Sequence, residues 1–203
     1  VSERRRITET RDLRATLDGP DGATAVVVAC PPHPQMGGSR SDARLRAVSD
    51  VLTDRGVACL RFDYGPWDDG RGERGDVRDA LAWGREGFDA VGLFGFSFGA
   101  GVALLAAAET DQPPEATSFL APPATITEDG DVVAAVESLA ADGHAAQVVY
   151  GERDEAVDWR PVVAAAREAG WPCEGVDGGH LFTGQKVHVS RAVGDFLASA
   201  LDG

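Results

Sequence analysis

The chain has 203 residues, 43% of them hydrophobic, with a formal net charge of -14 and a pI near 4.6. That length suits one domain with a substantial core. The charge works against nucleic acid or an anionic membrane as partner, and no apolar run is long enough to span a bilayer. The first residues, Val1 to Ile7, include arginines but lead into no apolar segment of signal-peptide type, so a cytoplasmic location is expected. Cys30, Cys59 and Cys173 are odd in number and widely spaced, which gives neither a disulfide framework nor metal-ligand spacing.

In chain order, residues 1–19 alternate loosely and suit an edge strand or hairpin, with Thr10 among the alternating positions. Asp18-Gly-Pro-Asp-Gly22 is a turn. Thr24 to Cys30 is a continuous apolar run, the pattern of a parallel strand covered on both faces. Pro31 to Ser39 is its terminal loop. A helix follows from about Asp42 to Arg55, with Leu45, Val48, Val51 and Leu52 on one stripe. Val57 to Phe62 is a strand, Asp63 to Gly72 a loop, and Glu73 to Gly84 a helix.

Val91 to Phe96 then reads as a strand, and Ala100 to Glu109 as an Ala/Leu helix. Beyond it come a strand at Ala116 to Ala121, a helix at Val132 to Ala141, a strand at Ala145 to Tyr150 and a helix at Trp159 to Ala169. Trp171 to Val176 is a last strand, weakened by Pro172 and so expected at an edge. The final helix runs from Lys186 to Leu201. Strand and helix alternate without an internal repeat, which predicts an α/β fold, a three-layer α/β/α sandwich with a mostly parallel sheet. Ligands in such folds sit above the carboxyl ends of the strands.

Gly95-Phe-Ser-Phe-Gly99 lies between a strand and a helix, the setting in which G-x-S-x-G is a nucleophile elbow. A Cβ at Gly95 or Gly99 would strike the neighbouring strand or helix. Ser97 would stand at the helix N-terminus, yet a serine hydroxyl needs a base and a carboxylate to orient that base. In this architecture the order along the chain is serine, acid, histidine. Asp154 and Asp158 are the candidate acids. Asp154 follows a strand directly, and Asp158 is more simply the N-cap of the next helix. His180 follows the last strand at the correct sheet edge. His144 precedes a strand and belongs to the opposite edge, and His188 lies on the last helix. Gly99-Ala-Gly101 is no phosphate loop, since no Gly-Lys-Ser/Thr follows.

Five stretches together carry a family resemblance: His33-Pro-Gln-Met-Gly-Gly38, Arg61-Phe-Asp-Tyr64, Gly95 to Gly99, Gly151-Glu-Arg-Asp-Glu155 and Gly179-His-Leu-Phe182. The chain resembles the small, cap-less serine α/β-hydrolases of the dienelactone-hydrolase-like group along most of its length. The resemblance implies a catalytic triad of Ser97, Asp154 and His180, because relatives carry a histidine followed by two apolar residues before the last helix. It implies an oxyanion hole from the backbone of Phe98 and of Gln35 or Met36. His33 is expected to hold its loop in place and to help shape the cleft, and Met36, Trp67, Phe98 and Leu181 to line it as a modest apolar cleft.

Some positions depart from the pattern. Gly179 stands where relatives often have an acidic residue that could anchor the loop. The Arg-Gly that usually follows the second core strand is missing from Asp63-Tyr-Gly-Pro-Trp67. Dienelactone hydrolases use cysteine where this chain has Ser97, so their substrate is not carried over. The stretch from Pro122 to Asp131 is too short for a lid domain.

The implied activity is hydrolysis of small carboxyl esters or thioesters through an acyl-enzyme, with no cofactor and no metal. The aspartates Asp68, Asp69, Asp129 and Asp131 are expected to be solvated surface. The alternatives are acyl transfer by the same triad and a non-catalytic binding protein. The partner expected is a small-molecule ester, and a homodimer is left open. Nineteen residues are basic and only Lys186 is a lysine. Such excess acid with little lysine resembles proteins of halophilic organisms, in which molar salt screens self-repulsion.

Overall fold

The computed structural model describes every residue except Glu9, Thr10, Glu128, Asp129 and Gly203. Thr10 of the amino-terminal alternation and Asp129 of the surface aspartates therefore lie outside the described residues.

Among the described residues one sheet runs in the order β1-β2-β4-β3-β5-β6-β7-β8. Its first two strands, β1 (Ser2–Arg6) and β2 (Arg14–Asp18), form an antiparallel hairpin, and β2 joins β4 (Ala58–Asp63) antiparallel. The other pairings, through β3 (Ala25–Cys30), β5 (Ala90–Phe96), β6 (Ala116–Leu120), β7 (Ala145–Gly151) and β8 (Cys173–Val176), are parallel. The expected edge position of the last strand holds, with Pro172 just outside the ladder.

β3 shows why its sequence is an unbroken apolar run. Val26, Val28 and Cys30 enter one core, and Ala25, Val27 and Ala29 enter the other. Successive side chains of a strand point to opposite faces, so a strand covered on both sides needs no polar position. The second core is roofed by α1 (Ala43–Asp54) and α6 (Lys186–Leu201). The first is roofed by α2 (Arg71–Gly87), α3 (Phe98–Ala108), α4 (Val132–Ala141) and α5 (Arg160–Glu168). These are the three layers. Helix α3 is buried from Phe98 through Ala107, which fits a helix apolar all round.

From β3 the chain crosses to β4 on one side, then returns past β3 to β5 on the other. That reversal opens a crevice above the carboxyl ends of β3 and β5. The connection from β6 to α4, residues 121–131, adds no domain over it. Among the described residues no helix is long and apolar enough to cross a membrane.

Candidate active site

The elbow at the end of β5 is sharp. Ser97 has φ 57° and ψ -125°, a positive φ on a residue that carries a Cβ. Such conformations persist only where the surroundings enforce them. Here Ser97 N–H donates to Leu120 O at 2.9 Å, and the amides of Ala100 and Gly101 return to Ser97 O at 2.8 and 3.2 Å. A Cβ on Gly95 would lie 2.3 Å from Gly99 O, and one on Gly99 would lie 2.4 Å from both Cys30 O and Pro31 O. The two glycines thus let the strand, its helix and the end of β3 close on one another.

The expected acid and base, Asp154 and His180, converge on this serine. Ser97 Oγ lies 2.8 Å from His180 Nε2, and His180 Nδ1 lies 2.7 Å from Asp154 Oδ2. With the proton on Nδ1 facing the carboxylate, Nε2 is free to accept the Ser97 hydroxyl. Asp154 is buried, with its second oxygen accepting from Ala156 N–H at 2.9 Å and Val157 N–H at 3.4 Å. Of the pair that follows His180, Phe182 is fully buried near Phe96 while Leu181 is 55% exposed. One residue anchors the base loop and the other faces out. The anchor that an acid at position 179 would give is supplied by backbone: Arg153 N–H donates to Gly178 O at 3.0 Å and Glu152 N–H to Val176 O at 2.9 Å.

The other candidates fall elsewhere. Asp158 is not an N-cap. Helix α5 starts after Trp159 with no side-chain cap bond, and Asp158 instead presents its carbonyl to Ala124 N–H at 2.9 Å. Pro161 in the first turn has no N–H to cap, which removes one reason for a capping carboxylate. His144 sits before β7, 3.2 Å from Thr117 Oγ1, and burial lowers its pKa. His188 is exposed on α6 and pairs with Glu174.

Across the crevice His33 stacks on Trp67 at 4.7 Å between ring centroids, and Phe98 lies 4.7 Å from His33 and 5.6 Å from Trp67. The cleft wall is therefore aromatic. Met36, expected in that wall, is 85% exposed. Two of the presumed surface aspartates have structural partners: Asp69 accepts the Trp67 indole N–H, and Asp131 caps α4 through Ala134 N–H.

The amides expected to serve an oxyanion divide. Phe98 N–H is the first of α3 and has no intrahelical acceptor. Gln35 and Met36 are a correction, because both lie in a 3-10 turn (Pro34–Met36) that uses their N–H groups. Gln35 donates to His33 Nδ1 at 3.3 Å and Met36 to His33 O at 3.0 Å. His33 thus holds its own loop, as expected. Burial depresses its pKa, opposed by buried Glu73.

No protein-family model and no curated protein matches the chain. Solved structures do. A serine hydrolase without a lid from Xanthomonas campestris shares 24% identity over 100% of this chain and 96% of its own, with a TM-score of 0.79. A serine hydrolase homologue from Coxiella burnetii shares 23% over 97% of each chain, with a TM-score of 0.80. A dienelactone hydrolase from Anabaena variabilis shares 22% over 99% of this chain and 98% of its own, with a TM-score of 0.79. Such likeness at this identity establishes that the chain adopts the α/β-hydrolase fold without a lid domain.

Proposed function

We propose that the protein is a serine hydrolase of small carboxyl esters or thioesters. The observation that carries this reading is the relay from the Ser97 hydroxyl through both ring nitrogens of His180 to Asp154, at 2.8 and 2.7 Å. Hydrolases of the same fold, including one named for a lactone, lend it support.

Ser97 Oγ attacks the carbonyl carbon as His180 Nε2 takes its proton, and Asp154 stabilises the imidazolium. The carbonyl oxygen becomes an oxyanion and accepts from Phe98 N–H. For the second donor, Pro31, Pro32 and Pro34 have no N–H, and those of Gln35 and Met36 serve their turn. The role passes to the backbone N–H of His33. Collapse of the tetrahedral adduct breaks the ester C–O bond, or the thioester C–S bond, and the leaving oxygen or sulfur takes the proton from Nε2 and departs as alcohol or thiol. Water, deprotonated by His180, then cleaves the acyl-enzyme and releases the acid and free Ser97. The ring wall of His33, Trp67 and Phe98 suits a small or flat apolar group, and the lid-less crevice suits a short one.

A serine-reactive fluorophosphonate tests this. Labelling of the wild type but not of folded S97A is expected, with p-nitrophenyl ester hydrolysis lost in S97A and H180A. Folded wild type that neither labels nor cleaves any ester of an acyl-length series refutes the reading.

A further inference from the structure

The loop that carries Asp154 is closed by a pair of rings. Tyr150, near the end of β7, and Trp159, at the start of α5, flank it and stack at 4.3 Å with their planes 28° apart. Each ring has a further, cationic partner. Arg167 donates to the Tyr150 hydroxyl at 2.8 Å, and the Arg160 guanidinium lies 4.7 Å over the Trp159 ring. Stacked rings and a cation over a ring both attract through the ring quadrupole. From this clasp the Trp159 indole N–H reaches back 3.3 Å to the backbone carbonyl of Asp154.

Oδ2 of the carboxylate faces His180, and Oδ1 is held from within the loop, by Ala156 and Val157 N–H, which belong to it and move with it. The Asp154 amide bonds Gly151 O at 3.1 Å, again within the loop. Arg153 N–H on Gly178 O and Glu152 N–H on Val176 O tie the loop's start to the His180 side, Ala124 N–H on Asp158 O ties its far end to the β6–α4 connection, and Trp159 reaches Asp154 itself. We propose that Trp159 is a positioning residue for Asp154: its indole N–H on the Asp154 carbonyl, braced on Tyr150, keeps the carboxylate aligned with His180. This rests on the hydrolase reading above.

A double-mutant cycle tests it. W159A is expected to lower kcat by about tenfold to a hundredfold, as small misplacements of catalytic groups do, with KM within about twofold. W159F keeps a smaller ring on Tyr150 and loses the donor, so a loss of about threefold to tenfold is expected. In a D154N background, followed by fluorophosphonate labelling rate, either substitution should cost almost nothing further, because its effect passes through the carboxylate. Circular dichroism accompanies each variant. Should W159A fail to fold, W159F decides the question alone. Wild-type kcat in W159F overturns the proposal, and so does the same loss in D154N as in the wild type. Wild type that never labels would instead fail the hydrolase reading itself.

Discussion

Two carboxylates on this molecule, Asp154 and Asp18, are alike in most respects and, on the proposed reading, opposite in use. Each leaves little surface to solvent and each faces a nitrogenous partner. Asp18, on the hairpin flank of the sheet, accepts from Arg61 Nε and Nη2 at 2.8 and 2.6 Å and from Ser49 Oγ at 2.9 Å. Arg61 in turn donates to Arg40 O. That arrangement joins β2, β4 and α1, with Ser2 of β1 also reaching Asp18. Asp154 has an equally satisfied oxygen on one side, but its partner is an imidazole whose far nitrogen meets a hydroxyl at a strained turn. A guanidinium keeps its protons at any working pH, whereas an imidazole can take one and return it. Burial and pairing alone therefore do not separate a structural carboxylate from a catalytic one. What lies beyond the partner does.

The sharpest test of that contrast is D154N. It should lower kcat about 10³- to 10⁴-fold, in line with loss of the orienting acid in other serine triads. Stability should change little, since an Asn oxygen can still accept from Ala156 and Val157. Esterase kinetics alongside urea unfolding checks both halves. D18N should do the reverse, leaving kcat unchanged and costing about 2 kcal/mol, a value between an exposed pair and a fully buried one.

The D18N effect should also depend on pH. Burial pushes the Asp18 pKa up, but hydrogen bonds from Ser2, Arg61 and Ser49 outweigh it and hold it below the usual carboxylate value. Its stabilisation is then fully present above the unfolded-chain value of about 3.9 and fades as pH falls through the lower folded value. Urea unfolding at pH 7 and near pH 3 should show the gap between wild type and D18N closing at the acid end. A gap that widens there would contradict the pairing. The smallest effect is expected from S49A, about 1 kcal/mol for one hydrogen bond with activity intact. If D18N or S49A slowed catalysis as D154N does, the two carboxylates would not be the separate cases described.

Much of the fold is legible because its signals are local. The apolar run ending at Cys30 announces a strand covered on both faces, and Gly95 and Gly99 announce a close approach. The choice of Asp154 over Asp158 is also reachable, since one follows a strand directly and the other precedes a helix. What the sequence hides is set by partners far away along it. Asp18, Glu73 and Asp76 are lost among so many surface acids, though Glu73 and Asp76 are fully buried. Their bonds to Gly70 N–H and to Arg11 exist only once the loops have met. Whether the Gln35 and Met36 amides are free depends on a single turn that spends them. The bracing of Trp159 on Tyr150 joins residues nine apart across a loop, and the one hint in sequence is a large aromatic at a helix start.

Strand β5 sets a counting rule for Ser97, the proposed nucleophile. Val91 and Leu93 point into one core, and Phe94 and Phe96 into the other. Inserting or deleting one residue before Phe96 would exchange those faces downstream and turn the elbow away from His180, because side chains alternate with a period of two. Any viable change of length in this strand should therefore come in steps of two residues. Loops at the opposite edge of the sheet, away from Ser97, carry no such parity and are where length can change more freely.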